Sequence, residues 1–295
     1  MKTVLLTGAS GYLGQHFQRF YRKLGWRVVT LGRRAEDDIF WDAQIRRRID
    51  ASDFNFAVNR IVHCAAVNET RISESIETTF DVNVTFTRTM ANLAINLEVE
   101  DFIYISTFHV YGVSCGTVGP NTECNPLNDY GLTHYLSEEI LRNTLPRANI
   151  RTLCLRPTNL YGHPSSMADF DRWSLIPFAF VRQAMEEGCI RLLSVGTQER
   201  NFVDVRSVVE AAPQNTGFEV RDVYGSETLS IIGFAELVAT VINKRHHKNV
   251  QVVRLSQGLS GRSETAPLCF LEPQGEAIVQ ENLEEFIEKF SENFC

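Results

Sequence analysis

No apolar run in the sequence approaches the roughly 20 residues that a membrane-spanning helix needs, so no membrane partner is expected. Nor is a secretory leader expected. The N-terminal MKTVLLTGASGYLG carries only Val4 to Leu6 as an apolar run before glycines interrupt it, and it reads as a first β-strand. The seven cysteines are odd in number, scattered, and never in CxxC spacing. Reduced thiols in a cytoplasmic protein are expected, not a disulfide framework. Basic charge is not in excess: 29 Lys and Arg stand against 36 Asp and Glu, a net charge of -7. This speaks against a nucleic-acid partner, which requires a basic face, but leaves room for small anions held by local arginines. No His, Cys, Asp or Glu grouping has metal-ligand spacing, and His246–His247, beside Lys244, Arg245 and Lys248, read as a solvated helix end. Internal repeats, low-complexity segments and Pro/Gly/Ser-rich linkers are absent as well.

What the chain does have is alternation. Val4–Thr7, Arg27–Leu31, Arg60–Cys64, Phe102–Ser106 and Thr152–Arg156 read as strands. Leu13, Phe17, Phe20, Tyr21 and Leu24 form a helical stripe closed by Gly25. Thr79–Leu97 forms another, with Val82, Phe86, Met90, Leu93 and Leu97 inward. Strands alternating with helices of this length predict βαβ units: an α/β, doubly wound parallel sheet of Rossmann type. After Pro157 the rhythm loosens. His163–Trp173 reads as a loop, with Phe170 and Trp173 either stacking a ligand or packing a core. A helix ending at Gly188, a strand at Asp222–Tyr224 and helices at Ile231–Asn243 and Asn282–Phe290 follow. The expected division is a dinucleotide-binding domain over 1–160. A smaller substrate-binding region over 161–295 would be partly interleaved with it, with a segment of about 200–228 returning to the first domain.

Gly8, Gly11 and Gly14 lie between the first strand and the first helix. Glycines there let the backbone approach a pyrophosphate, and the helix N-terminus offers free N–H groups to the anion. The second strand ends in Gly32, Arg33 and Arg34, where a free ribose 2′-hydroxyl usually meets an acidic residue. Arginines suit a 2′-phosphate, so NADP is expected, with NAD as the alternative. Asp42 is placed to meet the adenine amino group.

Further motifs follow in order: IVHCAA (Ile61–Ala66), VNVTFT (Val82–Thr87), YISTFHVYG (Tyr104–Gly112), YGLTH (Tyr130–His134), LRPTNLYG (Leu155–Gly162) and RNFVDV (Arg200–Val205). With TGASGYLG before them, the chain resembles an extended short-chain dehydrogenase/reductase of the NAD-dependent epimerase/dehydratase type over nearly its whole length. The resemblance implies a cofactor site of Gly8, Ser10, Gly11, Tyr12, Leu13, Gly14, Ala65, Ala66, Asn83, Ser106 and Pro157, besides Arg33, Arg34 and Asp42. It implies catalysis by Thr107, Tyr130 and His134, the last in place of the usual lysine, and a nucleotide-linked sugar substrate touching Thr107, Asn159 and Arg200. It also implies a homodimer through the helices Thr79–Leu97 and Tyr130–Asn143. Two positions depart from the pattern. The lysine four residues after the tyrosine is His134, and the acidic residue after Arg200 is Asn201.

The first departure matters chemically. A tyrosine, with its ordinary pKa near 10, needs a nearby cation to act as a base at neutral pH, and a histidine is mostly uncharged there. Tyr130 and His134 share one helix face and are both expected to touch the cofactor ribose. An acid role for Tyr130, donating a proton during reduction of a keto-sugar, does not conflict with a neutral His134. Two readings stand: an NAD(P)-dependent sugar reductase or epimerase, or a cofactor-binding regulatory or partner protein with little catalysis.

Overall fold

The computed structural model describes residues 1–42, 49–211, 217–254, 268–270 and 281–295. Strands are numbered in chain order: β1 Thr3–Thr7, β2 Arg27–Gly32, β3 Ile39–Phe40, β4 Arg60–His63, β5 Asp101–Ile105, β6 Gly116–Val118, β7 Arg151–Pro157, β8 Asn159–Tyr161, β9 Cys189–Leu192, β10 Glu199–Asp204, β11 Phe218–Val223, β12 Glu227–Ser230, β13 Gln251–Arg254 and β14 Leu268–Phe270. The helices are α1 Tyr12–Lys23, α2 Ile76–Phe80, α3 Phe86–Asn96, α4 Asp129–Thr144, α5 Ile176–Glu187, α6 Val205–Val209, α7 Ile231–His246 and α8 Leu283–Ser291.

Seven strands form one parallel sheet in the order β11-β7-β5-β4-β1-β2-β3. The chain starts in the middle and winds outwards both ways, as the alternation predicts for a doubly wound fold. The central strands are apolar because both faces are covered: β1 and β5 are buried along their whole length. On one face α1 buries Phe17 and Tyr21 completely, each contributing roughly 2–3 kcal/mol. Gly25, at φ +75°, closes that helix in the left-handed region. On the other face, α3 and α4 pack Met90, Leu93 and Leu141 against Phe102 and Tyr104.

The helix expected over Thr79–Leu97 is not continuous. It opens as α2, widens into a π-helical turn over Asp81–Thr85, and resumes as α3. That turn carries the buried Asn83, whose Oδ1 accepts from Val67 N at 2.7 Å and whose Nδ2 donates to Thr133 Oγ1 at 3.0 Å. The strand expected at Asp222–Tyr224 is longer, Phe218–Val223, and it forms the edge of the large sheet beside β7.

Beyond β7 a three-stranded sheet, β12-β10-β8, carries the second region, covered by α5, α7 and α8. Phe170 is buried against Tyr12 and Phe178, while Trp173 packs on Phe290 and Phe294. Both aromatics therefore serve packing, and they pin the 163–175 segment from either side of Arg172.

Candidate active site

A cleft of about 610 Å³ opens where the strand order reverses, at the carboxyl ends of β1, β4, β5 and β7. One end is made of backbone. Gly8 (φ +66°) sits so close to the end of β4 that a Cβ there would meet Ala65 N at 2.7 Å. A Cβ on Gly14 would lie 2.1 Å from Gly8 O. These two glycines are fixed by the fold. At Gly11 a Cβ would meet only Gly8 O, at 3.3 Å, so this position stays open towards the cleft. Such a cradle at the start of α1 fits a pyrophosphate.

Gly8, Gly11, Tyr12, Leu13, Gly14, Ala66 and Pro157 all line the cleft, as do Ser106, Thr107, Tyr130, His134, Asn159 and Arg200. Ser10, Arg33, Arg34, Asp42, Ala65 and Asn83 are not among its lining residues. Asn83 instead stands behind it, bonding Val67 and Thr133. Arg33 and Arg34 are exposed beyond the tip of β2. Arg34 donates its backbone N–H to Asp37 at 2.9 Å and reaches Asp169 with Nη1 at 3.9 Å. Asp37 also lies over Gly32, where a Cβ would meet its carboxylate at 2.4 Å. An acidic group thus does stand at the end of β2, supplied from five residues further along the chain.

The other end is made of side chains. Asn128 caps α4 by accepting from Gly131 N at 2.9 Å. Gly131 lets α4 press against the turn after β5, since a Cβ there would lie 2.5 Å from His109 O. This contact brings Tyr130 near Thr107, whose hydroxyl favours the ionised phenol. The Tyr130 ring meets His134 edge-on, with centroids 4.7 Å apart, and His109 at 5.6 Å. One turn further, Glu138 is fully buried and accepts from Arg156 Nε at 3.0 Å and from Ser106 Oγ. Ser106 lines the cleft, but its proton is directed at Glu138.

His134 is 2% exposed. Its Nδ1 pairs with the Tyr104 hydroxyl at 2.8 Å, and its Nε2 is buried without a protein partner. Burial first, and then the neighbouring His109, pull its pKa from 6.5 to about 3, so the ring is uncharged at neutral pH. Tyr130 moves the opposite way. Burial and then the Glu69 carboxylate raise its pKa, against Arg172 and the Thr107 hydroxyl, which lower it. The orphaned Nε2 and the open cradle at Gly11 both fit a dinucleotide lying along the cleft. When bound, a nicotinamide dinucleotide would supply or accept hydride.

Asn201 is a structural junction. It is buried, its Oδ1 accepts from Thr158 Oγ1 and Gly225 N, and its amide donates to Gly225 O. Asn159 donates to Asn201 O at 3.0 Å. Glu69 and Arg172, which spacing does not flag, also line the cleft and join across it.

Among known proteins, a dTDP-4-dehydro-6-deoxy-D-allose reductase from a Streptomyces species is 28% identical over 272 residues, covering 82% of each chain. The structure is similar to a UDP-glucuronic acid 4-epimerase from Bacillus cereus solved with UDP-glucuronic acid and NAD. That match has a TM-score of 0.79 and 19% identity, over 99% of this chain and 98% of that one. A UDP-glucose 4-epimerase from Thermotoga maritima, solved with UDP-glucose, gives 0.78 and 18% over 99% and 98%. Residues 4–213 match the NAD dependent epimerase/dehydratase family, and the chain belongs to that family of enzymes.

Proposed function

We propose that the protein reduces a keto group on a nucleotide-linked sugar, with a reduced nicotinamide dinucleotide as hydride donor and Tyr130 as proton donor. One observation carries the direction: the phenol that faces the cleft is held protonated, and the ring four residues on is uncharged. A base role needs the phenolate, which this surrounding disfavours. An acid role needs the form that is present. Thr107 would orient the carbonyl oxygen, and the free Nε2 of His134 would take a ribose hydroxyl. Asn159 and Arg200 would meet the substrate diphosphate.

NADP is the proposed cofactor, because Arg33 and Arg34 bring two cations to the tip of β2, where Asp37 and, against Arg34, Asp169 supply the carboxylates. The Streptomyces relative, a reductase by name, supports the direction. The proposed setting is cytoplasmic, which suits seven free thiols. We also propose a homodimer, in which exposed Ile76 and half-buried Phe80 and Val84 on one helical segment, and exposed Leu136 with half-buried Leu132 and Ile140 on α4, meet a second copy. The whole-function test is direct. NADPH fluorescence should report binding, and a dTDP-linked 4-dehydro-6-deoxyhexose should then be reduced. Binding without turnover across a panel of keto-sugars would support a non-catalytic partner protein.

A further inference from the structure

His134 carries no charge at neutral pH, so what it offers a ligand depends on which ring nitrogen holds the hydrogen. A lysine ammonium only donates hydrogen bonds. A neutral imidazole donates from one nitrogen and accepts at the other, and a bond made at one nitrogen fixes the role of the other. The ring of His134 lines the cleft and is 2% exposed. Its Nδ1 lies 2.8 Å from the Tyr104 hydroxyl, and among the described residues its Nε2 has no hydrogen-bond partner.

Tyr104 stands on β5, buried and outside the cleft lining. Its ring stacks on His63, with centroids 5.7 Å apart. His63 is held in turn between the hydroxyls of Thr7 at 2.6 Å and Thr87 at 3.0 Å. The position of the phenol is thereby fixed from behind. Burial raises its pKa well above the ordinary value, so it keeps its proton at neutral pH. A buried O–H needs an acceptor, and Nδ1 of His134 is within reach. Ser137, which also acts on the phenol, has its own proton directed at the carbonyls of Asn83 and Thr133, at 2.7 and 2.8 Å. Its oxygen defines the alternative, in which the phenol donates to Ser137 and Nδ1 carries the hydrogen. The first arrangement is complete with the 2.8 Å contact alone, whereas the second needs a further bond from Tyr104 to Ser137.

We infer that Tyr104 sets the tautomer of His134: the phenol donates to a bare Nδ1, the hydrogen sits on Nε2, and His134 donates from there to a ribose hydroxyl of the bound dinucleotide. The inference rests on the reading of the cleft as a nicotinamide dinucleotide site. It makes His134 a donor, as a lysine would be, without the charge. Tyr104 acts through His134 and is a positioning residue.

The test reads the ring nitrogens by nitrogen-15 NMR of the full chain labelled at histidine, with His134→Gln or His134→Asn to assign the signal. In the parent at about pH 7, Nε2 should carry the hydrogen and Nδ1 should show the shift of a bare nitrogen that accepts a hydrogen bond. Saturating NADPH should move the Nε2 signal. Tyr104→Phe should move Nδ1 towards a bare nitrogen without a donor and weaken NADPH binding about 2- to 10-fold. A parent ring with its hydrogen on Nδ1 overturns the inference. So does an Nδ1 signal that Tyr104→Phe leaves in place, or an Nε2 signal unmoved by NADPH. If Tyr104→Phe does not fold, the parent spectrum and its NADPH titration decide alone. No turnover is needed. Hydrogen on Nε2 in a chain inactive on every keto-sugar would overturn the proposed function and leave the tautomer standing, while hydrogen on Nδ1 in an active reductase would overturn the tautomer alone.

Discussion

The two ends of the cleft are built from different material. At the Gly8–Gly14 end the surface is backbone, and its shape is set by close approaches of 2.1 and 2.7 Å that no side chain would survive. At the Tyr130 end the surface is side chains brought in from five separate stretches of chain: Glu69, Thr107, Tyr130 with His134, Arg172 and Arg200. The backbone end follows the family's glycine pattern. The side-chain end has exchanged its cation, with an uncharged histidine where the resemblance expects a lysine. The difference teaches that a cradle made of backbone is fixed by the fold, whereas a side chain at the other end can be exchanged without disturbing it.

The largest effect should come from the side-chain end. Tyr130→Phe should slow keto-sugar reduction about 100- to 10,000-fold while leaving NADPH binding nearly intact, since only a hydroxyl is lost. Stopped-flow turnover and fluorescence titration would check the two halves. At the backbone end, Gly11→Val should do the reverse. Its Cβ meets only Gly8 O, so the chain should fold. The added methyls crowd the phosphate space at a cost of about 1–3 kcal/mol, which is roughly 10- to 100-fold in NADPH binding. Gly14→Val is the control: it clashes with backbone and should fail to fold. A Gly11→Val protein that folds and binds NADPH like the parent would break the distinction between the two ends. Replacing Arg33 and Arg34 by alanine should have a smaller effect, about tenfold weaker NADP binding with NAD little changed. Asp37→Asn should weaken NAD without weakening NADP. Isothermal titration with both cofactors would decide, and equal losses for both would remove the arginines from the cofactor assignment.

Much of this layout was legible in the sequence. The buried strands β1, β2, β4, β5 and β7 announce themselves as apolar runs because both of their faces are covered. The edge strand β11, Phe-Glu-Val-Arg-Asp-Val, does not: it alternates charge with apolar residues and is half-buried nearly throughout, so only its end was read. The widened turn at Asp81–Thr85 keeps helical periodicity and leaves no mark in the pattern. At the site, the glycine loop and the Tyr130–His134 pair follow from local spacing. Glu69 and Arg172 are 103 residues apart in irregular segments, and no periodicity joins them. Asp37 was passed over for a related reason. The sequence shows arginines after β2, but only the turn into β3 returns a carboxylate over Gly32. Burial of His134 was equally hidden. Its ring was expected to be mostly uncharged at neutral pH, but its pKa near 3 comes from the tertiary packing around it.

The central claim is that a protonated Tyr130 beside an uncharged His134 drives reduction. It is tested most directly by the pH dependence of single-turnover NADPH oxidation with a dTDP-linked 4-dehydro-6-deoxyhexose. The pKa of His134, lowered to about 3, puts its charge change far below the working range, and the raised pKa of Tyr130 keeps the acid form present through neutrality. The rate should therefore be flat between about pH 6 and about pH 9 and fall only on the alkaline side as the phenol ionises. A clear inflection near the ordinary histidine value, abolished by His134→Gln, would show that His134 is charged during turnover and would contradict the account.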